Sequence, residues 1–327
     1  ALINRTGLNP EQIGDFYLGC VGQHLEQGKN LARLIILLAG LPETTPGATV
    51  NRLCSSSLTA LQMAADSIRA GTNSQMVVGG VEHLGHVPMT AALGYHPDIF
   101  KSYDFQWTNM GLTAEKLSED FDINRTEQDV FAVESNRRHF DAREAGFLGR
   151  EMVPVTLPDG KVITEDQEPR LSTLESLVGL RTVFKENGTV TAANSSGISD
   201  GACMAWVGDQ ATVEQSSKEP LVEIMATANV GLNPETMGLG PVFAIRKLLD
   251  MAGLSLDEID LFEINEAFAV QVLACQQKLG IDDAKLNIHG GAVALGHPLG
   301  MSGLRIAVTL AHSMNAQNAH YGIASLC

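Results

Sequence analysis

The chain has 327 residues, 44% hydrophobic and 18% charged, a profile that builds a buried core and excludes a disordered polymer. Its formal charge of −16 excludes a general nucleic-acid binder, which needs a basic face, but not an anionic ligand held by a few placed cations. The longest apolar run, Leu34–Leu41, is too short to cross a bilayer, and the first residues lack the blocks of a signal peptide. Five scattered cysteines with no Cys-x-x-Cys pair suggest neither a zinc knuckle nor a disulfide framework, and point to a reduced, cytoplasmic compartment.

In chain order, Leu58, Leu61, Ala65 and Ile68 recur at helical spacing, which predicts a helix within 51–70 stopped by Gly71. The apolar run Met76–Val81 reads as a buried strand. From Leu84 to Asp200 the chain is more densely charged and poor in strand-like runs, which predicts a loop-rich insertion. Pro241 opens a helix through Met251, with Gly253 beyond its end. Ile259–Ile264 reads as a strand feeding a helix over Asn265–Leu279, Gly303–Met314 as another helix, and Tyr321–Leu326 as a last strand. Strand–helix alternation at both ends of the chain implies layered α/β halves with largely parallel sheets.

Four segments could carry chemistry. Val50-Asn51-Arg52-Leu53-Cys54 precedes the first helix, and a thiol there meets unpaired backbone N–H groups and the positive end of the dipole, both of which favour the nucleophilic thiolate. The plainer reading is a small buried hydrophobe behind a serine-rich cap. His297 stands between Gly296 and Pro298, where it can take a proton from a thiol and then donate to an oxyanion, or simply be a loop histidine satisfied by backbone. Asn265, in Asn265-Glu266-Ala267-Phe268, could fix a water or substrate group with its amide, or cap a helix. Cys327, after the last strand, would by itself be a buried structural thiol. Cys20, Cys203 and Cys275 read as structural. His83 and His86 are three residues apart with no third ligand evident in the sequence, so no metal is expected.

Together and in this order, a Cys after Val-Asn-x-x, then Asn-Glu-Ala-Phe, Gly-His-Pro and a late Cys resemble the thiolase family. Met110–Glu115 and Asn194–Ala202 also resemble thiolase segments, so the likeness spans nearly the whole chain. Glu82–Val87, Ser57 and His289 lean toward the bacterial fatty-acid-oxidation branch, the β-subunit of a multienzyme complex. The resemblance implies an α/β fold of two similar layered halves with an inserted loop domain. The expected division is 1–84 with a return at 201–215 for the first half, 85–200 for the insertion and 216–327 for the second half.

The resemblance further implies cleavage of 3-ketoacyl-CoA by CoA, in fatty-acid β-oxidation, through an acyl-Cys54 thioester. His297 would accept the Cys54 proton, Asn265 would hold a water that with His297 stabilises an enolate oxygen, and Cys327 would protonate the departing acetyl-CoA carbanion and then deprotonate incoming CoA. Met110 and Ser196 match positions lining the pantetheine tunnel. Coenzyme A is implied as co-substrate, with no resident cofactor. Also implied are a homodimer or larger assembly and pairing with a hydratase/dehydrogenase subunit.

The family pattern begins with a further strand and helix and continues as Cys-x-Gly, so these residues are expected to belong to a longer protein. Where degradative relatives have Arg before Pro, this chain has Glu168-Pro169-Arg170, so Arg170 is not expected to bind CoA phosphate. Two alternatives remain: a ketoacyl synthase, disfavoured by Asn265-Glu266 and Cys327, and a catalytically weak scaffold subunit.

Overall fold

The structure, a computed structural model, describes residues 1–91, 93–216 and 218–327. In chain order the helices are α1 (Leu2–Thr6), α2 (Leu31–Leu38), α3 (Ser56–Arg69), α4 (Met110–Asp120), α5 (Arg125–Glu144), α6 (Leu174–Leu177), α7 (Gln210–Gln215), α8 (Gly240–Ala252), α9 (Ala269–Leu279), α10 (Ala292–Leu295) and α11 (Leu299–Gln317). The strands are β1 (Phe16–Gly19), β2 (Gly47–Val50), β3 (Gln75–His83), β4 (Val155–Thr156), β5 (Val162–Ile163), β6 (Asp200–Gly208), β7 (Leu261–Ile264) and β8 (Gly322–Ser325). These elements form two compact units, one of residues 1–93, 198–227 and 298–318, the other of 94–197, 228–297 and 319–327.

The first unit is built on a four-stranded sheet in the order β2-β1-β3-β6. β1 pairs parallel with β2 and β3, while β6 runs antiparallel to β3 from Gln75↔Gly208 to His83↔Asp200. The expected parallel character therefore holds for three strands, with one antiparallel edge. Phe16, Leu18, Ile36 and Val77 are buried together, as are Ala60, Ala64, Met76, Val78 and Leu304. α3 buries a face of small residues (Ser56, Ser57, Ala60, Ala64), which brings it close to α11. A Cβ on Gly303 would lie 2.7 Å from the backbone nitrogen of Leu58, so this crossing needs glycine. Ser57, fully buried, donates to the Met301 carbonyl at 2.9 Å and accepts from the Leu304 N–H at 2.9 Å, joining the two helices.

The second unit holds the parallel pair β7-β8 and the short hairpin β4-β5. Its core runs from Leu117 and Val190 through Val242, Ile245 and Phe262 to Val270, Leu286 and Ile323. α8 ends as expected, with Gly253 at φ 69° in the left-handed region. The segment expected to be loop-rich contains two helices of 11 and 20 residues, α4 and α5. Their starts are well capped: Asn109 accepts from the Gly111 and Leu112 N–H groups, and Asn124 with Glu127 forms a reciprocal capping box. No apolar period marks α5 because its buried positions include Gln128, Asp129, Ser135, Asn136 and His139. No helix among the described residues is long and apolar enough to cross a membrane.

Candidate active site

Cys54 lies in the first unit, at the tight turn between β2 and α3. Leu53, just before it, has φ 49°, a left-handed conformation that a branched side chain resists. The turn is held by backbone bonds from Ser55 to the Arg52 carbonyl and from Ser56 to the Leu53 carbonyl. Asn51 adds a side-chain acceptor for the Leu53 N–H at 2.9 Å, and buried Ser56 accepts from the Arg52 N–H at 2.9 Å. Ser55 stands at the N-cap of α3 without making a side-chain cap, so the serine-rich cap of the plainer reading does not form there. Cys54 itself is half-buried, and none of the five cysteines is in a disulfide.

Asn265, His297, Cys327, Met110 and Ser196 lie in the second unit. Asn265 does not cap a helix: α9 begins only at Ala269, after Phe268. Instead Asn265 continues the edge of β7, its N–H bonded to the Ser325 carbonyl at 3.0 Å. Its side chain is 1% exposed; Nδ2 lies 3.5 Å from His297 Nε2, and Oδ1 has no hydrogen-bond partner among the described residues. Such an orphaned buried oxygen is costly unless a water or ligand hydrogen satisfies it.

His297 is buried, with its N–H on the Gly197 carbonyl at 2.9 Å. Gly296, at φ 88°, makes the turn that delivers it. Cys327 is half-buried as a residue, but the surroundings of its thiol push its pKa up to about 12, first through burial and then through the neighbouring Cys275. Cys275 is fully buried, and burial pushes its thiol up to about 12 as well; its Sγ donates to the Gly238 carbonyl at 3.3 Å. Ser196 donates to the Ala267 carbonyl at 3.0 Å, two residues beyond Asn265. Met110, 37% exposed, opens α4 without a place in this polar group. Arg170 hydrogen-bonds through its N–H to Asn136.

The residue that sequence reasoning missed is Asn287. It takes φ 45°, a conformation asparagine tolerates better than most residues. Its Oδ1 accepts from the Ile264 N–H at 2.8 Å, while Nδ2 donates to the Ile264 carbonyl at 2.8 Å and to Glu266 Oε1 at 2.9 Å. Asn287 thus clamps both neighbours of Asn265. Glu266, 1% exposed, also accepts from Ser135 Oγ at 2.7 Å and from the Val293 N–H at 3.0 Å. A Cβ on Gly291 would fall 2.4 Å from the Glu266 carboxyl carbon, so glycine at 291 is a packing requirement of this carboxylate. The signal was an Asn opening a Gly-Gly turn, which on its own reads only as turn chemistry.

Residues 1–210 match the model of the thiolase N-terminal domain, and residues 218–327 that of the thiolase C-terminal domain. The chain belongs to the thiolase family. It is 45% identical over 334 aligned residues to a 3-ketoacyl-CoA thiolase of Colwellia psychrerythraea, covering all of this chain and 86% of that protein. It is 44% identical to a 3-ketoacyl-CoA thiolase of Aliivibrio fischeri, covering all of this chain and 87% of that one. Among solved thiolase-fold structures, the Bacillus anthracis acetyl-CoA acetyltransferase superposes with a TM-score of 0.90 at 35% identity, covering 99% of this chain and 86% of the other. Human mitochondrial 3-ketoacyl-CoA thiolase gives 0.90 at 35% identity, covering 99% and 87%. Membership in the thiolase family makes this chain an acyltransferase.

Proposed function

We propose that this thiolase cleaves 3-ketoacyl-CoA with coenzyme A, giving acetyl-CoA and a shortened acyl-CoA, through a thioester on Cys54. The observation that carries the reading is the buried Asn265–His297 pair, with Nδ2 and Nε2 3.5 Å apart and the Asn265 Oδ1 left as an open acceptor. A water on that oxygen would present its hydrogen, beside the imidazole, to an oxygen gaining negative charge.

In the proposed sequence His297 takes the Cys54 proton, and Sγ attacks the keto carbon. The bond between the keto carbon and the α-carbon breaks, leaving the acyl group on Cys54 and its electron pair on the acetyl-CoA carbanion. Cys327, whose thiol is held at about 12 and so protonated at neutral pH, gives that carbanion a proton. The Cys327 thiolate left behind is basic enough to take the thiol proton of incoming CoA, whose sulfur then displaces the acyl group from Cys54. Met110 and Ser196 are assigned to the pantetheine arm.

The 45% and 44% identical relatives, both named 3-ketoacyl-CoA thiolase, support the degradative direction and a place in fatty-acid β-oxidation. The change between family matches from residue 210 to 218 supports a boundary between the halves near 215–216, and the resemblance alone divides the first half into 1–84 and 201–215 around an insertion of 85–200. The same resemblance supports a cytoplasmic homodimer or larger assembly that pairs with a hydratase/dehydrogenase subunit.

The test is CoA-dependent loss of 3-ketoacyl-CoA absorbance. Turnover by the wild type and its loss in Cys54→Ala are expected; full turnover in that variant contradicts the proposal.

A further inference from the structure

His83 and His86 stand at the end of β3 and in the turn after it, and the fold brings to them a carboxylate that the sequence leaves 57 residues away from His83. Glu26 Oε1 lies 2.7 Å from Nδ1 of His83 and 2.7 Å from Nδ1 of His86. One ligand atom from each of the three residues falls within 4.8 Å of the others, and the imidazole centroids are 5.6 Å apart. We propose that Glu26, His83 and His86 form a binding site for a divalent transition metal of the zinc type, separate from the residues assigned to acyl transfer.

The frame that holds the three side chains is buried although the side chains themselves reach solvent. Gln27, next to Glu26 and 3% exposed, accepts the His83 N–H at 2.7 Å. Its amide nitrogen donates to the Gly22 carbonyl at 2.8 Å and to buried Glu82 at 3.2 Å. The short turn Leu25–Gln27 is therefore fixed to the backbone of one of the two histidines. The chain after His83 folds back at once, with the Val87 N–H on the His83 carbonyl at 2.8 Å, and this returns His86 to the same side.

Asp200 provides the second, independent observation. Its Oδ2 lies 3.6 Å from His83 Nε2, the ring nitrogen that does not face Glu26, while Oδ1 accepts the Gly85 N–H at 2.8 Å. Metal-ligating histidines almost always present their other nitrogen to a carboxylate or carbonyl, which fixes the tautomer and strengthens the ligand.

Two imidazoles and one carboxylate suit zinc-type ions, with a fourth position open to water. Metal–ligand bonds of about 2.0–2.2 Å place tetrahedral ligand atoms roughly 3.4 Å apart. The present 2.7 Å separations must therefore widen by several tenths of an ångström, which half-exposed side chains allow. An imidazole ligates through an unprotonated nitrogen, so with His83 bound through Nδ1 its ring hydrogen stands on Nε2, the nitrogen facing Asp200.

The experiment titrates Zn²⁺ alone into the whole chain by calorimetry, for wild type, His83→Gln, His86→Gln, Asp200→Asn and Cys54→Ala. A binding event present in wild type and Cys54→Ala, lost in either histidine variant and weakened about 10–100-fold in Asp200→Asn is expected. Co²⁺ substitution should give visible bands without thiolate charge transfer. Absence of uptake, uptake unchanged in both histidine variants, or a thiolate band that disappears with Cys54 would each overturn the assignment. Because the metal readout does not depend on turnover, its failure is distinguishable from failure of the thiolase reading.

Discussion

Replacing Asn287 with aspartate changes one atom of the clamp around Asn265 and should make the protein sensitive to pH. Oδ1 would still accept the Ile264 N–H, but the two donations from Nδ2, to the Ile264 carbonyl and to Glu266 Oε1, would vanish. In their place an anionic oxygen would face Glu266 Oε1 at 2.9 Å, inside a group in which both residues are buried. At an effective dielectric of about 20, two like charges at that distance repel by roughly 6 kcal/mol. Taking up one proton relieves the repulsion and restores a donor, so the introduced carboxyl should have a folded-state pKa well above the ordinary value of about 3.9.

A raised folded pKa stabilises the fold fully below the unfolded value, and that stability is lost as pH rises toward the folded value, by about 1.4 kcal/mol per unit. Thermal melts of N287D and wild type from pH 5 to pH 8 should show a small deficit at pH 5 that widens steadily toward pH 8. Because Asn265 lies between the two clamped residues, kcat should fall in the same direction. A deficit of constant size across this range would refute the clamp.

Burial, with a smaller contribution from Arg150, holds His289 at about 4, and its ring stacks on Phe147 with centroids 3.7 Å apart. Stability should therefore decline as pH falls below the unfolded value of about 6.5, and H289F should flatten that decline in urea titrations at pH 7 and pH 4.5. The slope removed should be less than about 1.4 kcal/mol per pH unit, because the ring is only half-buried. Gly303→Val should cost about 1–3 kcal/mol or more in urea unfolding, since its Cβ meets the Leu58 backbone rather than a movable side chain. His297→Ala should lower kcat by about 10²–10⁴ in the thiolysis assay, the usual contribution of a positioned acid–base group.

The strands β3, β7 and β8 and the helices α3, α8 and α11 were legible because burial on one or both faces leaves a period or a run in the sequence, whereas β1, β2 and β6 were not read from it. Met76–Val81 falls inside β3, and Pro241–Met251 inside α8. α5 was not legible, since it buries Gln128, Ser135 and His139, and its 20 residues are announced only by the Asn124–Glu127 capping box. The start of α9 was misplaced because Asn265 has the chemistry of a cap, whereas its backbone is spent on β8 through the Ser325 carbonyl. Within the site, the chemistry-bearing residues announced themselves by type and order. Asn287 and the steric need for Gly291 did not, because both depend on where Glu266 lies after folding. The same holds for Glu26, which joins His83 and His86 only through the turn anchored by Gln27.

That Cys54 carries the acyl group is tested most directly by trapping it. The chain is mixed with a 3-ketoacyl-CoA in the absence of free CoA, quenched in acid and digested, and the peptides are weighed by mass spectrometry. The acyl mass should appear on the peptide containing Cys54 and disappear when CoA is added before the quench. An acyl group found instead on Cys327, or turnover that persists with no acylated cysteine, would contradict the assignment.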